Sequence, residues 1–172
     1  MVEPLLHFAI PFASLKALGI DIRKAVFASL VALAPDLDIL FRVHRSESHS
    51  LIVLAAVTLP LLVVTRNRKS LRTLVILASL GVMIHIALDL FQTSTPLFWP
   101  ILNQSIWIST TLDLHIASTP TVKGSMEILM QKTAIEPFVS FDAPILTGPG
   151  LGISLALLTP TLIQVLQKGH WV

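Results

Sequence analysis

Apolar residues along the chain fall in long blocks separated by short polar runs. Five blocks, at about 5–20, 25–41, 51–65, 72–91 and 149–167, approach the roughly 20 residues that a helix needs to cross a hydrocarbon core about 30 Å thick. The pattern predicts an all-α integral membrane protein with about five transmembrane helices. The first three blocks are short, which implies local thinning of the bilayer or helices that do not cross fully. Pro60 and Pro160 interrupt two blocks, and bundled helices tolerate this where neighbours satisfy the freed backbone groups.

Residues 90–112 carry no charge but hold Pro96, Pro100, Asn103 and Gln104 among many hydroxyl side chains. They are expected to form a re-entrant or interfacial segment after the fourth helix, with Phe98, Trp99 and Trp107 at the headgroup level. Residues 113–142 hold most of the remaining polarity. Leu112, Leu114 and Ile116 alternate, and a short amphipathic helix is expected around Ser125 to Phe138. The organisation is therefore a single membrane domain over 1–172, with a polar extracytoplasmic segment at about 92–148.

Composition strengthens this reading. The 172 residues are 53% hydrophobic and 13% charged, against roughly 25% charged in a soluble domain. So few charges could not clothe a soluble enzyme of this size. The formal charge of +2 is small and unevenly spread, which argues against a nucleic-acid-binding face. With no cysteine, disulfides and thiolate metal sites are excluded, and soft-metal chemistry would rest on histidine. The start, Met1-Val2-Glu3-Pro4, lacks a basic n-region, so the first apolar block is expected to remain in place.

Basic residues set the orientation. Arg66, Arg68, Lys69 and Arg72 crowd one short loop and mark it as cytoplasmic. Alternation of spans then puts Lys16, Arg23, Lys24 and Lys168 inside, and every acidic residue except Asp21 outside. The expected location is the inner or plasma membrane, with the chemistry facing the extracytoplasmic side.

On that outer side the costly residues converge. His7, Asp36, Asp38, His49, His85 and Asp89 come from different apolar blocks and their loops. An aspartate at the centre of a spanning helix costs about 2.5–3.5 kcal/mol, and a bound cation offsets that cost directly. His85 and Asp89, four apart, lie on one helical face. Asp36 and Asp38 could not share a helical face, but Pro35 breaks the helix and leaves an irregular turn. These six residues are the candidate metal ligands. Zinc is favoured by the imidazoles, with manganese or magnesium also compatible. Plainer roles exist for each: an intrahelical His85–Asp89 pair, a helix-end turn at Asp36 and Asp38, an ordinary polar loop at His44, Arg45 and His49. His115 and His170 are not expected to be ligands.

The ordered set formed by an early His7, Pro35-Asp36-Leu37-Asp38, His44-Arg45 with His49-Ser50, and His85 with Asp89 resembles the YdjM-like, predicted membrane-bound metal-dependent hydrolases. Thr93 and Pro96-Leu97-Phe98-Trp99-Pro100 look like the downstream segment of that family, so the resemblance covers residues 7–100. Where the family has Thr before the first His, Gly after H-R and Thr before H-S, this chain has Leu6, Ser46 and Ser48. The resemblance implies a hydrolase and a metal without fixing a substrate. The order of ligands also looks like part of the ligand sequence in zinc-dependent phospholipases C, which suggests phosphoester chemistry at a headgroup.

The expected function is thus metal-dependent hydrolysis of a lipid or lipid-linked phosphoester, with membrane lipid as partner and no nucleic acid. His44 could protonate a leaving group, Arg45 could grip a phosphate through its planar fork of donors, and Glu47 could serve as base. The rivals are an ion-conducting or proton-coupled transport protein and a non-catalytic protein stapled by metal. A serine hydrolase or common zinc protease fits less well, since neither G-x-S-x-G nor H-E-x-x-H occurs. Oligomeric state is left open.

Overall fold

Pro4 brings a preset φ to the first turn of helix α1 (Pro4–Ala17), and the chain turns at Gly19, whose φ of 77° only glycine adopts without strain. In this computed structural model, which describes residues 3–43, 46–116, 119–135, 137 and 145–169, Asp21 then caps α2 (Ile22–Val31). Its carboxylate accepts the Arg23 N–H at 3.0 Å. Helix α2 stops before Pro35, and Ala34–Phe41 forms a 3-10 helix, the break that the proline predicts. A shorter 3-10 turn, Glu47–His49, leads into α3 (Leu51–Val64), where Ser50 Oγ accepts the Ile52 N–H at 3.1 Å. Then come α4 (Lys69–Leu90), strands β1 (Gln104–His115) and β2 (Thr121–Lys132), and α5 (Gly148–Gly169).

This architecture overturns the expectation of an all-α protein with five spans. Among the described residues, two helices, α4 and α5, are long and apolar enough to cross a membrane. Helices α1 and α3 have 14 residues each and α2 has 10. At about 1.5 Å per residue none of these reaches across a core of about 30 Å. The fold is mixed α/β, because the chain after α4 builds an antiparallel two-stranded sheet in place of a re-entrant segment and an amphipathic helix.

The register explains the sheet. Pairing runs from Gln104 opposite Lys132 to His115 opposite Thr121. One face therefore carries Ile106, Ile108, Leu112 and Leu114 together with Val122, Met126, Ile128 and Met130. The other carries Ser109, Thr111 and Asp113 opposite Glu127, Ser125 and Lys123. The alternation seen at Leu112, Leu114 and Ile116 is one edge of this longer two-residue period. At the base of the hairpin, Thr95 and Ile106 exchange two backbone hydrogen bonds of 2.9 Å, and Gln131 Nε2 donates to Ser94 Oγ at 2.6 Å.

The buried core, Phe12, Leu15, Ala25, Ala28 and Leu77, lies where α1, α2 and α4 meet. Small residues bring α2 and α4 into backbone contact: a Cβ added at Gly81 would stand 2.6 Å from the Ala28 carbonyl oxygen. Helix α5 packs along α1. Its Leu158 reaches the core, and the Thr147 hydroxyl just before it donates to the buried Glu3 carboxylate.

Candidate metal centre

Three segments deliver four electron-rich atoms to one point. Asp36 comes from the first 3-10 helix, His49 from the second, and His85 and Asp89 from successive turns at the end of α4. His49 and His85 are fully buried, and Asp89 is 1% exposed. His49 Nε2 lies 3.3 Å from His85 Nε2, 3.6 Å from Asp36 Oδ1 and 3.2 Å from Asp89 Oδ2. His85 Nε2 lies 3.6 Å from Asp36 Oδ1 and 3.3 Å from Asp89 Oδ2. Asp36 Oδ1 is buried and has no hydrogen-bond partner among the described residues. Atoms of this kind facing one another repel unless a positive charge, either a proton on an imidazole or a bound cation, sits among them.

The spacing matches such a charge. Ligand bonds of about 2.0–2.1 Å in a tetrahedral zinc site put neighbouring ligand atoms about 3.3–3.4 Å apart. A six-coordinate ion with slightly longer bonds gives adjacent separations close to 3 Å and leaves two positions for water or substrate. The group Asp36, His49, His85 and Asp89 can therefore hold a divalent metal ion, and the donor set alone does not select which one.

The other two residues expected as ligands border this group. His7 Nδ1 donates to Asp36 Oδ2 at 3.1 Å, and its Nε2 is 3.7 Å from Asp89 Oδ1, so His7 touches the far oxygens of both carboxylates. Its ring also lies against His85, with centroids 4.0 Å apart. Asp38 Oδ2 is 3.5 Å from His49 Nδ1 and accepts the Ser46 N–H at 3.0 Å and the Ser46 hydroxyl at 3.1 Å. A carboxylate on Nδ1 fixes the His49 tautomer and turns the Nε2 lone pair toward the cluster. Asp36 and Asp38 thus hold one imidazole from its two nitrogens, which a 3-10 turn of about three residues allows.

The charges reinforce this picture. Burial works against an ionised Asp36, yet the facing His49 imidazole, the hydrogen bond from His7 and the nearby His85 hold its carboxyl well below the usual carboxylate range. Burial likewise works against a charged His49, but hydrogen bonds to Asp36, Asp38 and Asp89 push it up to about 10.

Of the residues expected to act on substrate, His44 and Arg45 lie outside the described residues. Glu47 is half-buried, and its carboxylate makes no hydrogen bond or ion pair among the described residues. The sequence reading gives Ser46 and Ser48 no part, yet both surround Asp38, with Ser48 Oγ 3.2 Å from Asp38 Oδ2 and 3.0 Å from His49 Nδ1. The available signal was local: the serines alternate with Glu47 and His49 at the two positions where the chain departs from the family pattern. Ser50 fixes the next layer, donating to the carbonyl of Trp99 at 2.6 Å and so tying the 96–100 loop to the site.

No curated protein and no solved structure matches the chain. The family described as YdjM inner membrane protein matches residues 2–157, a stretch that contains every residue of the cluster. The chain belongs to the YdjM inner membrane protein family.

Proposed function

We propose that the chain is a membrane-bound metal-dependent hydrolase that acts on a lipid or lipid-linked phosphoester at the outer membrane interface. The observation that carries this reading is the set of four mutually close donors at the end of α4, a helix long and apolar enough to cross a membrane. A divalent ion bound there would supply a water acidic enough to ionise near neutral pH and a positive charge toward the scissile oxygen. Zinc is the first choice for a site with two imidazoles, with manganese or magnesium as alternatives. Asp36, His49, His85 and Asp89 hold the ion in this proposal. His7 and Asp38 keep the carboxylates and the His49 ring in place. Arg45 is assigned to the phosphate, His44 to the leaving group and Glu47 to proton removal, from their chemistry in the sequence.

One observation favours a second reading, a metal staple. The group offers four protein donors, the number with which structural zinc sites are closed. Purified wild type, His85→Ala and Asp89→Ala separate the readings. Hydrolysis predicts bound metal and phosphoester cleavage in wild type on vesicles of phosphatidylethanolamine and phosphatidylglycerol, with both lost in folded variants. A staple predicts unfolded variants and no cleavage. Equal tight metal in all three proteins would sink both.

A further inference from the structure

Under the hydrolase reading, on which this inference rests, a substrate must be held against the cluster. A cavity of about 540 Å³ runs between α2, α3 and α4, walled by Phe27 and Val31, by Leu54 and Leu61, and by Leu74 and Val82. Its few hydroxyls are turned on partners in the wall. Thr58 Oγ1 and Ser79 Oγ pair at 2.8 Å, Ser79 Oγ also donates to the Val75 carbonyl, and Thr65 Oγ1 donates to the Leu61 carbonyl at 2.6 Å. A wall of this kind suits neither an ion nor a column of water, and it does suit hydrocarbon.

The two ends of the groove differ. At one end it is lined by Pro35 and Ser48, and Ser48 Oγ lies 3.1 Å from the Pro35 carbonyl, 3.2 Å from Asp38 and 3.0 Å from His49. The groove therefore ends on residues that hold a ligand of the cluster. At the other end it reaches Thr65 and Leu71, beside the basic run of Arg66, Arg68, Lys69 and Arg72. It follows α3, whose 14 residues extend about 21 Å, longer than one leaflet's half of a core about 30 Å thick.

We propose that this groove seats one hydrocarbon tail of a membrane lipid, so that the lipid's phosphoester headgroup reaches the cluster. Continuity between the apolar wall and the Ser48–Asp38–His49 contacts selects this occupant over a helix of a second copy. The substrate class is then a lipid cleaved at its headgroup while its tail stays in the protein.

The test uses the full chain in vesicles of phosphatidylethanolamine and phosphatidylglycerol doped with a phospholipid bearing a diazirine on its acyl chain. Photolysis should label Val53, Val57 and Leu61, which line the groove, several times more than Leu59 and Val63, which are exposed on α3 but do not line it. Ala78→Phe, which fills the groove, should reduce that labelling and lower the ratio of long-chain to water-soluble short-chain phosphoester hydrolysis at least about tenfold. Even labelling around α3 overturns the inference whatever the turnover. Groove-selective labelling with neither substrate cleaved overturns the hydrolase reading and the substrate assignment with it. A cross-linked dimer joined through the groove assigns it to a second copy and overturns the proposal.

Discussion

A metal ligand must be deprotonated to bind, and the surroundings of His49 make that requirement measurable. Three carboxylates hold its imidazole protonated up to about 10, whereas Asp36 is already ionised throughout the neutral range. Metal uptake near pH 7 should therefore release a proton from His49, and apparent affinity should rise by about tenfold per pH unit until His49 has titrated. Below that range the sign holds, with affinity falling as pH falls. Calorimetric titration with zinc in buffers of different ionisation enthalpy reads the proton count directly, and zero release would contradict this electrostatic account. The positioning role of Asp38 makes a separate prediction. Asp38→Asn should weaken zinc binding by about 10–100-fold without abolishing it, while Asp89→Ala should abolish it. Equal losses in the two variants would put Asp38 among the ligands.

Much of this was legible from residue types. The i, i+4 spacing of His85 and Asp89 and the proline before Asp36 both point at the site, since each is a local rule. Which of six donors touch one another is a property of two 3-10 turns, and no spacing rule gives it. The same limit hid Ser46 and Ser48, whose hydroxyls matter only because Asp38 folds back over them.

At the level of elements, the close crossing of α2 and α4 is the device that sets His85 in place, one turn beyond Gly81. Gly81→Ala should push the helices apart and destabilise the protein by about 1–3 kcal/mol, with weaker metal binding. Gly152→Ala on α5 meets nothing within 4 Å and should do neither. Thermal unfolding and metal titration of both variants check this, and an unperturbed Gly81→Ala would show that the helices can yield there. Apolar blocks in the sequence overstate the number of spans because α1, α2 and α3 are apolar yet too short to cross. The hairpin was half legible. Its first strand shows alternation, but its second strand takes its meaning from the register that gathers Val122, Met126, Ile128 and Met130 onto one face.

For the whole molecule, the positive loop before α4 and the hairpin after it give opposite expected exposures. The chain has no cysteine, so single reporters need no background removed. Ser125→Cys on the hairpin should react with a membrane-impermeant maleimide in intact cells, and Arg68→Cys only after permeabilisation. The reverse pattern would turn the site toward the cytoplasm.

Helix α5 rests on α1 and Glu3, not on the cluster. The cluster and the two residues bordering it, His7 and Asp38, lie between residues 7 and 89, and so are translated before the hairpin. Biogenesis thus has a natural order, in which the coordinating half assembles first and α5, translated later, docks against α1 to fasten the bundle.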